Sequence, residues 1–252
     1  MKKRLMLNTI SPVMLQILTI ACGLILPRLY LAAYGSETNG LVASISQFLS
    51  VISLLDMGVS SVVQAAFYKP VAENDIDGIS RVYLSARKFF RKIAYIFLIY
   101  IVFVITFYLH KSTGFFSVYE IILLTLAIAS SLFVQYYFGL TNQILLNSDQ
   151  YIYIQTGLQC ALLVANLALC YLLIGAGFDI VVVRGVSAVV FILRPVVLQF
   201  FVNKRYKIDS NIRIIEEPIK QKWDGASQFI ANYVLMNTDV MILTFFSTFE
   251  NI

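Results

Sequence analysis

Charged side chains are scarce in this sequence: they make up 13% of its 252 residues, against the quarter or so that a soluble domain carries. With 59% apolar residues and a mean hydropathy of +0.80, that scarcity excludes an ordinary water-soluble fold. Histidine is almost missing. The single His110 stands beside Lys111 with no second imidazole, so a zinc or haem site has no footing. The three cysteines, Cys22, Cys160 and Cys170, lie inside apolar stretches, are odd in number and lack CxxC spacing. They exclude a disulfide framework and a metal knuckle and read as small packing residues. No cofactor and no metal are expected.

What the sequence has in quantity is long apolar runs. A helix crossing a hydrocarbon core of roughly 30 Å needs about 20 mostly apolar residues. Such runs fall at 11–33, 40–67, 93–109, 118–142, 152–174 and 179–202, with a further one at 226–246. Lys2, Lys3 and Arg4 before the first run, and Leu31-Ala32-Ala33 near its end, resemble a signal peptide. The run's length and the spans that follow argue for a retained helix instead. The expected fold is therefore an all-α multi-helix transmembrane bundle. A six-helix lobe covers 1–202, a cytoplasmic or interfacial linker 203–225, and the first helix of a truncated second lobe 226–252.

Lys and Arg collect in cytoplasmic loops, so their distribution orients the spans. They cluster at the amino terminus, between Lys69 and Lys92, and between Lys204 and Lys222, while the alternate loops hold only Lys111 and Arg28. Both ends of the six-helix block are expected in the cytoplasm. The connection Asn147–Gln150 has no basic residue and is placed inside by helix counting. The net charge of +5 is explained by attraction to anionic lipid, and nucleic acid is not expected as a partner.

Polar residues recur at helical spacing inside the spans. Ser46, Ser50, Ser53, Asp56, Ser60 and Gln64 follow one another by three or four positions, which predicts one stripe on one helix. Ser131, Gln135 and Asn142 repeat at four and seven, as do Gln155, Gln159 and Asn166, and Gln228, Asn232 and Asp239. Serines at this spacing also serve tight helix packing. A carboxylate such as Asp56 costs on the order of 3 kcal/mol near the bilayer centre and should face protein or water. Asp239 carries the same inference. Arg28, Arg184 and Arg194 are the cationic counterparts; Arg184, close to a helix end, is read as snorkelling to headgroups, and Arg194 precedes Pro195 mid-span. Together these features suggest a hydrated, charged cavity.

Asp75 and Asp77 form a DxD pair of the kind that holds a metal for glycosyl transfer, but at a helix start they read as caps. Near the chain's end, Phe246–Ile252 echoes Tyr34–Gly40 after an apolar helix, as in transporters built from parallel repeats.

Four stretches resemble a known family: Ala33-Tyr34-Gly35 with Asn39-Gly40-Leu41; Leu55-Asp56-Met57-Gly58-Val59; Tyr68–Asp75 leading to Arg87-Lys88-Phe89-Phe90-Arg91-Lys92; and Asn237-Thr238-Asp239-Val240. The sequence is similar to bacterial polysaccharide flippases of the Wzx type, in the MOP superfamily with its MATE-like fold. Members have about twelve or more helices in two lobes, so the resemblance implies an amino-terminal lobe with the first helix of the second. It further implies translocation of a polyprenyl-diphosphate-linked oligosaccharide across the bacterial cytoplasmic membrane by alternating access, for capsular, exopolysaccharide or O-antigen synthesis, as part of a longer protein. Membrane lipids, a polysaccharide polymerase and glycosyltransferases are the implied partners. On that reading Arg28 and Arg194 hold the diphosphate, Gln64, Gln135, Gln159 and Asn166 bond sugar hydroxyls, Asp56 and Asp239 couple to an ion, and there is no catalytic residue. A cation-coupled drug exporter of the MATE type, a membrane-embedded glycosyltransferase using Asp75 and Asp77, and a structural scaffold are the alternatives.

Overall fold

The structure is a computed structural model and describes residues 2–55, 58–111, 116–209 and 212. Asp56, Asp239, most of the expected linker and the expected second-lobe helix lie outside the described residues. The described residues form seven α-helices and no strand: α1 Lys2–Ser50, α2 Val59–Glu73, α3 Ile76–Lys111, α4 Val118–Val134, α5 Leu140–Ser148, α6 Ile152–Gly175 and α7 Ile180–Arg205. A 3-10 turn, Val51–Leu55, follows α1, and a π-helical turn, Gln135–Gly139, joins α4 to α5.

Five rods are long and apolar enough to cross a membrane: Arg4–Leu54, Ile76–His110, Val118–Ser148, Ile152–Gly175 and Ile180–Arg205. The sequence predicts separate spans at 11–33 and 40–67; the structure breaks the helix between them, at Gly35, and again within the second. The first of the five stretches runs 51 residues, Arg4–Leu54, because it joins two helices across a kink. It is bent at Gly35, whose φ of 82° and ψ of 170° are not helical. No atom lies within 4 Å of where a Cβ would stand, so the backbone conformation, not crowding, is what favours glycine there. The run 40–67 is itself divided. Its first part belongs to α1, its middle to the 3-10 turn, and its last part to α2, which starts after the left-handed Gly58 at φ 78°. The expected serine stripe therefore does not lie on one continuous helix.

Cross-helix contacts fix the directions of the rods. Asn8 of α1 donates to the Gln150 carbonyl at 2.9 Å, Thr156 of α6 donates to Ser11 at 2.7 Å, and Tyr34 donates to the Phe178 carbonyl at 2.7 Å. Residue pairs advance together, so the first arm of α1 and α6 run parallel. The amino terminus, the Asn147–Tyr151 connection and the end of α7 consequently gather at one end of the bundle. Arg4 and Arg205 both lie over the Tyr151 ring there, at 4.9 and 4.4 Å. Ser148 reaches the Gln64 carbonyl of α2 at 3.3 Å, and the Asp209 N–H donates to Ser80 of α3 at 3.1 Å. The segments richest in Lys and Arg thus share one end, hereafter the basic end.

Carboxylates mark helix starts. Asp75 accepts from the Gly78 N–H at 3.0 Å before α3, and Asp179 from the Val181 N–H at 3.3 Å before α7. Ser117 and Glu120 make a reciprocal capping box at α4, with bonds of 3.2 and 2.7 Å. Each satisfies an N–H that the helix leaves orphaned. Ser117→Ala is expected to lower stability by about 1 kcal/mol, measurable as a lower unfolding temperature in detergent. Deep in the bundle an aromatic cluster locks the second arm of α1 to α3: Phe48 stacks on Phe107 at 5.3 Å and meets Tyr108 edge-on at 5.8 Å. Tyr100 donates to the Phe48 carbonyl at 2.8 Å, three residues before α1 gives way to the 3-10 turn.

Candidate functional site

The bundle interior is polar where α3, α5 and α7 meet. Tyr83 of α3 donates to the Asn142 Oδ1 of α5 at 2.8 Å, and the Asn142 Nδ2 donates to the Gln199 Oε1 of α7 at 3.0 Å. Gln199 donates in turn to Asn203 at 2.7 Å and to Tyr83 at 3.4 Å. Tyr83 and Asn142 are almost fully buried, at 1% and 0% exposure. Three helices are thus tied by side-chain bonds that saturate one another. Asn142→Leu strands the Tyr83 hydroxyl and the Gln199 amide and should cost about 1–3 kcal/mol, read by thermal unfolding.

The π-helical turn adjoins this network. It advances the register between α4 and α5 and brings Gln135 to Gln143, donor to acceptor at 3.0 Å. It also turns Tyr137 toward α3, where the Arg91 guanidinium lies 4.5 Å over its ring. Gly139 closes the turn against Pro195 of α7, with no room for a side chain between them.

Four arginines, two on α3 and two on α7, are half-buried. The Nε atoms of Arg87, Arg91, Arg184 and Arg194 are sealed from solvent and make no hydrogen bond. The described carboxylates all stand at helix ends or in connections: Glu37 just past the Gly35 bend, Glu73, Asp75, Asp77, Glu120, Asp149, Asp179 and Asp209. Among the described residues the ion pair is Arg205 with Asp149, 3.5 Å apart at the basic end. Tyr206 donates to the same carboxylate, and burial first, then that contact, pushes its phenol above the usual tyrosine value. Guanidinium groups without a carboxylate partner are suited to an anion that accepts from two N–H groups at once, a phosphate above all.

A second polar cluster sits toward the other end. Cys170 of α6 lies 3.3 Å from the Tyr30 hydroxyl of α1 and 3.3 Å from the Ser187 hydroxyl of α7, with Asn166 one turn away at 3.7 Å. Arg184 stacks over Tyr30 at 4.3 Å. Arg184 packs on an aromatic face instead of snorkelling, which corrects one expectation. Cys170 is free and buried, as expected of a packing residue, and also touches these polar groups.

The expected site residues are spread over five elements. Arg28 is exposed on α1. Gln64 is half-buried on α2 and donates to Tyr68 at 3.1 Å. Gln135 is on the π turn. Gln159 and Asn166 are on α6, the Gln159 Oε1 sealed without a partner and Asn166 buried. Arg194 is half-buried on α7. Among the described residues no hydrogen bond joins any two of them. The residues that do converge are Tyr83, Asn142 and Gln199. Asn142 is legible as a helical repeat and Gln199 precedes Asn203 by one turn, while Arg87 and Arg91 lie in the basic stretch that follows the helix start at Asp75.

The fold and this interior define an all-helical bundle with rods of membrane-spanning length and composition. Comparison with protein-family models, with curated proteins and with solved structures gives no match.

Proposed function

We propose that the bundle belongs to a flippase that carries a polyprenyl-diphosphate-linked oligosaccharide across the bacterial cytoplasmic membrane, as the amino-terminal lobe of a MATE-like transporter. The supporting observation is Arg194, half-buried in the middle of α7 with its Nε sealed and unbonded and no described carboxylate paired with it. Inside a membrane a cation is costly unless it faces a partner, and a diphosphate headgroup is such a partner. Amides inside the bundle suit sugar hydroxyls, which cannot enter hydrocarbon without hydrogen bonds. In this proposal the basic end faces the cytoplasm, and the two arms of α1 with α2 make the first two of six crossings. Arg194 holds the diphosphate with Arg28, Gln64, Gln135, Gln159 and Asn166 serve the sugar, and Asp56 and Asp239 couple to an ion.

The test is complementation in a strain of the source bacterium that lacks the gene. The unaltered gene should restore surface glycan, and Arg194→Gln should reduce it by about tenfold, the value of one charge-assisted hydrogen bond. Normal surface glycan at normal membrane levels of the variant would remove Arg194 from the path. A positive interior argues against cationic drugs as cargo. The glycosyltransferase alternative is separable, because Asp75 caps α3. Asp75→Asn keeps the cap and removes the carboxylate, and is expected to leave glycan assembly intact.

A further inference from the structure

On α3 a groove of about 460 Å³ is lined by Leu84, Arg87, Lys88, Arg91, Lys92 and Tyr95. These positions repeat at three and four residues and so occupy one helical face. Four cations stand within two turns, and no carboxylate lines the groove. Arg87 with Arg91, and Lys88 with Lys92, are like charges one turn apart, a repulsion that an anion would relieve.

The groove is built, not merely charged. The Nε atoms of Arg87 and Arg91 are sealed without hydrogen-bond partners. Arg91 is held over Tyr137 of the π turn, and Tyr137 meets Tyr95 edge-on at 6.2 Å. A second element therefore fixes the orientation of one guanidinium before any ligand arrives.

Its depth matches a headgroup. If His110 marks the far interface, a core of about 20 helical residues ends near Arg91, which places the cations at the interface of the basic end. From there toward the far end the same helix exposes Ile96, Ile99, Val102 and Phe103, at 51, 75, 64 and 60%. That strip continues for about 18 Å beyond Arg91, a length suited to an acyl chain. Cations followed by an exposed apolar strip have the shape of an anionic amphiphile.

We infer that the α3 groove binds the phosphate headgroup of an anionic phospholipid of the leaflet at the basic end, with an acyl chain along Ile96 to Phe103. Arg87 and Arg91 grip the phosphate, and the exposed Lys88 and Lys92 neutralise it. The site is separate from Arg194 and the interior amides and does not depend on the cargo proposed for them. Through Arg91 and Tyr137 the lipid also braces the π turn.

The experiment is native mass spectrometry of the full chain released from detergent micelles containing equal phosphatidylglycerol and phosphatidylcholine. The unaltered protein should retain phosphatidylglycerol in about tenfold preference. R87Q/R91Q should lose that preference. K88Q/K92Q changes exposed side chains that do not threaten the fold and should reduce it. R81Q/K204Q removes basic-end cations outside the groove and should leave it intact. Sodium pyrophosphate at millimolar concentration should not displace the lipid, since it cannot use the apolar strip. Equal retention of the two lipids, an unchanged preference in both groove variants, or displacement by pyrophosphate would each overturn the assignment. None of these readouts involves translocation, so they stand apart from the proposed function.

Discussion

Gly139→Val is expected to destabilise the bundle by about 1–3 kcal/mol, the usual range for forcing volume into a close-packed contact. A Cβ at Gly139 would stand 2.7 Å from the Gln135 Oε1 and 2.9 Å from the Pro195 Cβ. The glutamine can rotate away at the cost of its bond to Gln143. The proline ring cannot, because it is buried in α7 and fixed by its own backbone. The π turn and α7 must therefore separate, and the adjoining bond from Asn142 to Gln199 is the one most exposed to that shift. Gly139→Ala should show a smaller loss of the same sign. Thermal unfolding in detergent reads both, and a valine variant as stable as the parent would mean that α7 does not pack on the turn as described.

Arg194→Leu should move stability and activity in opposite directions. The Arg194 guanidinium sits mid-span on α7, its Nε sealed and without a hydrogen bond. Burying an unpaired cation is unfavourable, so an apolar residue of similar reach is expected to raise stability by about 1 kcal/mol or more. If the cation serves the proposed diphosphate cargo, the same change should cut translocation by about tenfold or more, the value of a charge-assisted bond. A structural arginine would give the reverse sign for stability. Measuring unfolding temperature beside glycan export in the same variant separates the two.

Hydropathy made the rods legible because it averages over turns: the runs 93–109, 118–142 and 152–174 fall within rods of the structure, and 179–202 starts one residue before its rod. The same averaging hid what interrupts them. Gly35 lies in the polar stretch between the runs 11–33 and 40–67, where the break is readable, but Gly58 takes left-handed backbone inside the second run, and a window of about 20 residues does not register one glycine. The serine stripe failed for that reason, since its spacing presumed one unbroken helix. The helix start at Asp75 and Asp77 is readable and α3 begins at Ile76, but the apolar run starts only at 93, so hydropathy does not show that Arg87 and Arg91 ride on the same helix as the span. Asn142 was visible as a repeat, but Tyr83 and Gln199 lie 59 and 57 residues away, and a single sequence does not state such pairings. The caps were readable, because Ser117 with Glu120, and Asp75, act within three residues of themselves.

The central claim is that unpaired cations within a membrane bundle await an anionic lipid-linked cargo. It is tested most directly in vesicles of defined lipid containing the purified chain and a fluorescent oligosaccharide on a polyprenyl diphosphate, with the rate at which the sugar changes leaflet measured by an external quencher. The account predicts faster movement than in protein-free vesicles, loss of that gain in Arg194→Gln, and no gain for the same sugar on a neutral lipid. Equal acceleration of the neutral lipid, or none for the diphosphate, would contradict it.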